Sequence, residues 1–132
     1  VVEISRDEEI MHGFWTTGEL GTNTKEQSLI VNTEKGMVVI TGCAHPGIIN
    51  ILEKTRSLSG ESIYLLLGGL HLLYSDSSEL KDIIDSCRGL GVRSVAPSHC
   101  SGRRARELFT KEYGDDFISN GVGKVIEVST KG

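Results

Sequence analysis

A chain of 132 residues has room for one core, because single domains run to about 100–200 residues, and its 38% apolar side chains, 24% charged residues and 16 glycines describe a folded globular protein and exclude disorder. Lys and Arg number 14 against 18 Asp and Glu, a net charge of −4; the basic excess that a phosphate backbone requires is missing, and a general nucleic-acid binder is excluded. The longest apolar stretches, Ile63–Leu67 and Leu70–Tyr74, are far shorter than the roughly 18–20 residues of a membrane span. Cys43, Cys87 and Cys100 cannot all pair, so reduced thiols in a cytoplasmic setting fit better than a disulfide framework.

In chain order, Val1–Ile4 is a short strand candidate, and the acidic patch Asp7-Glu8-Glu9 with Gly13-Phe-Trp-Thr-Thr-Gly-Glu reads as loop. The chain starts on Val1 rather than Met, and an upstream part is expected. Ser28–Thr33 and Met37–Thr41 are β-branched runs separated by Glu34-Lys35-Gly36, a spacing that predicts a hairpin with Gly36 in a left-handed turn position.

From Met37 onward one plan occurs three times: a short apolar strand, a break of small residues, a histidine, then a helical pattern. The strands are Met37–Thr41, Ser62–Leu67 and Val92–Ala96. The helical stripes are Ile48, Ile51, Leu52 and Thr55; then Leu80, Ile83, Ile84 and Cys87; then Ala105, Leu108, Phe109 and Glu112. Asp76 and Glu79 have capping-box spacing before the second helix, and Gly60, Gly91 and Gly114 lie near the three helix ends. A last strand, Lys124–Val128, is expected to close the sheet. The fold class is therefore α/β, one-sided helices packed on a sheet.

His45, His71 and His99 each stand just past the carboxyl end of a predicted strand. Strand ends of an α/β sheet lie about 5 Å apart, so side chains distant in sequence meet at that edge. Imidazole and thiolate are donors for Zn and related ions, and Cys43 sits two residues before His45. Spacings this long differ from the paired ligands of a zinc finger and favour an open functional site over a structural clip. Gly42, Gly47, Gly68, Gly69 and Gly102 leave the nearby backbone clear for a ligand. Each of these residues also has a plainer reading. A single histidine at a strand end is often a turn residue, and Cys43 is either a ligand or a small packed residue. Cys87 lies on an apolar stripe and reads as core, as Cys100 also does by default, and His12 is assigned no role. The run Arg103-Arg-Ala-Arg opens a helix where cations oppose the macrodipole. It is either a solvated face or a phosphate contact. Glu19 is either an exposed loop carboxylate or a general acid/base.

Gly13-Phe-Trp-Thr-Thr-Gly-Glu, Glu26-Gln-Ser-Leu, Thr41-Gly-Cys-Ala-His-Pro-Gly-Ile, Gly68-Gly-Leu-His-Leu, Ala96-Pro-Ser-His-Cys-Ser-Gly and Gly121-Val-Gly occur in that order. Together they resemble metallo-β-lactamase-fold proteins, in the branch of 7,8-dihydropterin-6-methyl-4-(ribofuranosyl)-aminobenzene-5′-phosphate synthase-like enzymes. The resemblance implies that residues 1–132 are a single partial domain, the carboxyl-terminal half of an αββα sandwich. One or two metal ions would sit at its open edge, zinc first, with Mg, Mn or Fe as alternatives. It implies His99 as a metal ligand and places Cys43 at the strand end where many relatives carry a bridging aspartate, with either Cys43 or His45, in the loop beside it, taking that ligand's place. His71 is implied as a catalytic, pocket-lining residue, with Gly68, Gly69 and Arg103 toward the substrate and Glu19 as a second catalytic group. The family's His-x-His-x-Asp-His cluster is absent, which implies that the missing amino-terminal half of the same protein supplies it.

The activity implied is metal-dependent hydrolase or transferase chemistry on a phosphorylated or pyrophosphorylated small molecule, with no nucleic acid or membrane partner. The fragment alone is expected to be inactive. A generic phosphoesterase, a metal-free ligand-binding protein that keeps the fold, and thiol redox chemistry at Cys43 or Cys100 are the alternatives.

Overall fold

The computed structural model describes residues 1–132. Six strands form one sheet in sequence order: β1 (Glu8–Met11), β2 (Phe14–Thr16), β3 (Leu29–Thr33), β4 (Gly36–Thr41), β5 (Ile63–Gly69) and β6 (Ser94–Ser98). β1 to β4 run antiparallel, whereas β4, β5 and β6 are parallel. The parallel strands are joined through α1 (Ile48–Ser59) and α2 (Ser77–Gly89), and α3 (Arg103–Tyr113) follows β6. No helix is long and apolar enough to cross a membrane.

The β3–β4 hairpin forms as its sequence predicts. Glu34 and Lys35 make the turn, Gly36 takes φ +120°, and the Thr33 hydroxyl donates to the Gly36 carbonyl at 2.6 Å. Alternation along the strands separates two faces. Ile30, Met37, Val39, Ile63, Leu66 and Val95 face the helices and form the main core with Ile51, Leu52, Leu80, Ile84, Cys87, Ala105 and Phe109. Val31, Val38, Leu65 and Ala96 make a smaller cluster on the other face, where Ile118 and Ile126 of the tail pack. The register slips where Met37 pairs with Ile63 but Val38 pairs with Leu65, and this extra residue puts Tyr64 and Leu65 on the same face.

The helical stripes carry the packing. The buried residues of α1 are Ile48, Ile51, Leu52 and Thr55; those of α2 are Leu80, Ile84 and Cys87, with Ile83 partly buried beside them. On α3 the stripe ends at Tyr113 rather than Glu112, which is exposed. The Tyr113 hydroxyl donates to the Val92 carbonyl at 3.3 Å, and the Arg88 guanidinium lies 4.1 Å over its ring. Gly60 closes α1 in the left-handed conformation, and Gly91, at φ +82°, follows the α2 C-cap Leu90.

Three sequence expectations are corrected. Val1–Ile4 is not a strand. The stretch read as loop instead holds the β1–β2 hairpin, a short edge pair with a bulge and an exposed β1, too irregular to show a period. Segment 4–7 is tied down from outside the sheet: Gln27 donates to the Ile4 carbonyl at 2.6 Å, and Lys54 pairs with Asp7 at 2.7 Å and holds that carboxyl below its usual range. Lys124–Val128 is not a closing strand either. Phe117 already bridges Val95 on the outer edge of β6, and the tail then crosses to β3, where Thr130 bridges Thr33.

The Asp76–Glu79 capping box is complete, with the Asp76 carboxylate accepting from the Glu79 N–H at 2.9 Å and the Glu79 carboxylate from the Asp76 N–H at 3.0 Å. Replacing Asp76 with Ala is expected to lower unfolding free energy by about 1 kcal/mol, seen as a lower urea midpoint with an unchanged slope.

Candidate metal centre

The carboxyl ends of β4, β5 and β6 form one rim, and it is built on an unusually close backbone approach. A Cβ on Gly68 would stand 2.1 Å from the Thr41 carbonyl oxygen, and one on Gly69 would stand 2.2 Å from that of Gly42. The Gly69 N–H instead donates to the Gly42 carbonyl at 3.1 Å, and the Thr41 hydroxyl donates to the Gly69 carbonyl at 2.7 Å. Gly68 and Gly69 are both buried. Their missing side chains admit the neighbouring strand.

Beyond this junction the chain turns through residues that sterics disfavour. The non-glycine residues with positive φ are Ala44 (62°), His71 (53°) and His99 (51°), one after each parallel strand. Each such conformation costs of order 1–3 kcal/mol and marks a functional constraint when it persists.

The turns gather donors. His99 Nε2 lies 3.0 Å from Cys43 Sγ. Cys43, His99 and Cys100 form one group whose donor atoms all lie within 4.8 Å of one another, and Glu26, Cys43 and His45 form a second. The Cys43 sulfur is shared, so His45 and His99 flank it from two sides. Nδ1–H of His45 donates to Glu26 Oε1, and the His45 backbone N–H donates to Glu26 Oε2 at 3.1 Å. The other ring nitrogen of His45 is thereby left as a free donor, the usual arrangement of a carboxylate-oriented metal histidine. Desolvation pushes the Cys43 thiol up, and the adjacent Cys100 thiol and Glu26 carboxylate push it further. A divalent ion beside Cys43 would reverse that preference for the protonated thiol. Imidazole nitrogen with thiolate sulfur is a donor set suited to zinc and other borderline-to-soft ions.

His71 belongs to neither group. Its exposed ring lies 4.5 Å from that of His45, tilted 47°, and both line a cavity of about 200 Å³ with Ala44, Leu70 and Ile83. Arg103 is exposed, with Nε donating to Glu107 at 2.7 Å, and lines a cavity of about 410 Å³ with His99, Arg106 and Thr110. Glu19 is exposed, paired with Lys25 at 3.1 Å and outside both donor groups. Thr16 and Thr17 of the same motif have structural work. Thr16 donates to Gln27 at 2.6 Å and Thr17 accepts from the Ser28 N–H at 2.9 Å, which fixes the segment before β3 from which Glu26 reaches His45. His12 sits next to the exposed β1–β2 turn, 4.0 Å from Glu9.

Sequence reasoning missed two residues of the cluster. Glu26 stands in a quoted motif but has no local feature that marks it; its role comes from pairing with a loop 19 residues away. Cys100, read as core by default, is half-buried at the rim, whereas Cys87 is in the core with its thiol pushed up to about 12 by burial. Adjacency to His99 was the available signal.

No family model matches the chain. It superposes over 98% of its length, with a TM-score of 0.84 and 35% identity, on 58% of the solved chain Tm1679, a metal-dependent hydrolase of the β-lactamase superfamily. In sequence it is 35% identical over 103 residues to the 7,8-dihydropterin-6-methyl-4-(β-D-ribofuranosyl)-aminobenzene-5′-phosphate synthase of Methanocaldococcus jannaschii, covering 77% of this chain and 35% of that enzyme. It is 34% identical over 91 residues to an uncharacterized protein of the same archaeon, MJ0448, covering 69% of this chain and 34% of that one. The chain thus spans about a third of the length of the curated relatives it matches. Fold and sequence together place it in the metallo-β-lactamase superfamily. Within that superfamily its sequence resembles the pterin-linked synthase.

Gly69→Ala tests the junction. The new methyl group would meet the Gly42 carbonyl oxygen at 2.2 Å and Cys100 Sγ at 2.9 Å, whereas at Gly89, on the last turn of α2, nothing lies within 4 Å. The expected cost is about 1–3 kcal/mol or more at Gly69 and none at Gly89, compared by thermal midpoint.

Proposed function

We propose that this chain is part of a metal-dependent enzyme that acts on a phosphorylated or pyrophosphorylated small molecule, with His99, Cys43 and His45 as ligands. The observation that carries the reading is the shared Cys43 sulfur, flanked by His99 on one side and by the Glu26-oriented His45 on the other. The remaining donors would come from chain outside these 132 residues. When bound, an ion at this rim polarises a phosphate oxygen or lowers the pKa of water to about 7. Zinc is the first choice, and the cytoplasm, where thiols stay reduced, is the proposed setting.

The chain's own residues then orient the substrate. Arg103 and Arg106 border the cavity on the His99 flank, where guanidinium groups form charge-assisted hydrogen bonds to a phosphate. His71 and His45 border the smaller cavity on the opposite flank, between Leu70, Ile48 and Ile83, a surface suited to a planar ring. A substrate with an anionic end and a flat end would lie across the rim with its reacting bond over Cys43. This arrangement favours synthase-like transfer from a pyrophosphorylated dihydropterin to an aminobenzene phosphate. Hydrolysis of a simpler phosphoester is the second reading, supported by the hydrolase description of the solved relative.

Assaying the full-length protein with both substrate classes separates these, and turnover of simple phosphoesters alone would reject the synthase reading. Chelation is expected to abolish activity and added zinc to restore it. Replacing His99 with Ala should reduce kcat/KM at least about 100-fold. Replacing Arg106, which forms no ion pair with Asp or Glu, with Ala should raise KM about tenfold for phosphorylated substrates, as measured by steady-state kinetics; an unchanged KM would count against the arginine subsite.

A further inference from the structure

We propose that Cys100 is a metal-binding thiolate, a second sulfur donor beside Cys43, so that the rim clasps an ion between two sulfurs and the His99 ring. The inference rests on the metal reading above and adds to it a ligand that the resemblance does not supply.

The first argument is geometric. Cys43 Sγ, Cys100 Sγ and a His99 ring nitrogen lie within 4.8 Å of one another. A tetrahedral ion with Zn–S bonds of about 2.3 Å and Zn–N bonds of about 2.0 Å separates its donors by roughly 3.5–3.8 Å. The 3.0 Å between His99 Nε2 and Cys43 Sγ has to open by less than about 1 Å to admit an ion.

The second argument concerns adjacency. Neighbouring side chains in extended backbone point to opposite sides, so consecutive residues do not ordinarily serve one ion. His99 escapes that rule by its left-handed conformation, φ 51°, at the start of a single 3-10 turn spanning His99–Ser101. The strain has a purpose if the histidine and the cysteine must both face one point.

The third argument is the seat of the sulfur. The His71 backbone N–H is aimed at Cys100 Sγ, 3.3 Å away, and His71 also holds a left-handed φ to aim it. The Cys100 thiol also donates to the Cys43 carbonyl at 3.3 Å; once a metal displaces that proton, the His71 N–H is the donor that suits a negatively charged sulfur. Gly69 completes the seat, because a side chain there would stand 2.9 Å from the same sulfur. A merely packed cysteine needs none of this: Cys87 lies fully buried among apolar side chains with no such partner. Two thiolates and one imidazole leave a fourth tetrahedral position, which a donor from chain outside these residues, water or substrate would fill.

The test is the full-length protein loaded with Co(II), whose near-ultraviolet sulfur-to-metal charge-transfer band scales with the number of bound thiolates. Cys43→Ser and Cys100→Ser are each expected to lose about half of the wild-type intensity per bound cobalt. Unchanged intensity in Cys100→Ser would overturn the proposal. A second measurement needs no substitution: alkylation of Cys100 in the wild type, followed by mass spectrometry, should slow at least tenfold on metal loading, and equal rates with and without metal would also overturn it. Wild-type protein that binds no cobalt would sink the metal reading and this inference together, whereas bound cobalt with one-thiolate intensity sinks this inference alone.

Discussion

The close approach of the β4 and β5 ends is the constraint on which the rest of the site depends. Two consecutive glycines let the backbone of β5 come against Thr41 and Gly42 at a separation no other residue permits. Cys43 leaves β4 immediately after this contact, and His71 leaves β5 two residues after it. Shifting either strand by the radius of a methyl group would part Cys43 from Cys100 and His99. The backbone junction positions the turns that carry the donors, and so stiff a support can hold donors to within fractions of an ångström.

The rim is also where stability is spent. Three left-handed non-glycine residues, at of order 1–3 kcal/mol each, are a substantial fraction of a typical domain's net stability of about 5–15 kcal/mol. The core beneath offsets them: Val39, Leu52, Ile63, Leu66, Leu80, Val95 and Phe109 are completely buried directly under the strand ends or on the helices that cover them. The strained turns are further held by main-chain bonds, such as Leu72 N–H to the Cys100 carbonyl at 3.2 Å. Strain concentrated above a stiff core is an arrangement that selection for stability alone would remove.

Much of this was legible in the residue pattern, and the reasons differ from element to element. The helices were readable because a 3.6-residue period leaves a stripe that depends on local spacing alone, and the buried set of α1 is the stripe itself. The convergence of the strand-end loops was readable because parallel strands of one sheet end together. The β1–β2 hairpin was not, since an exposed edge pair with a bulge carries no alternation. The glycines of β5 were visible as breaks, but whether a missing Cβ admits a ligand or a neighbouring strand is a question of three-dimensional distance. Glu26 and Cys100 show the same limit from the other side. Each owes its place to long-range partners, His45 for Glu26 and Cys43 and His71 for Cys100, which local spacing does not reveal.

The distribution of charge follows from the same geometry. Sulfurs and a carboxylate crowd the centre of the rim, where Cys43 is shared between two donor groups, and the arginines stand apart at the start of α3, which has no acidic residue in its first turn and no side-chain cap. Cations at a helix start oppose the macrodipole, so their position is unfavourable for the helix alone. Glu107, one turn on, takes up Arg103 but leaves Arg106 without a carboxylate partner. An anion held in the cavity beside His99 would relieve both the dipole and the arginines. A chain that is acidic overall can in this way present a local surface that attracts anions, because the field at a site is set by the nearest groups and screened from the rest over about 8–10 Å.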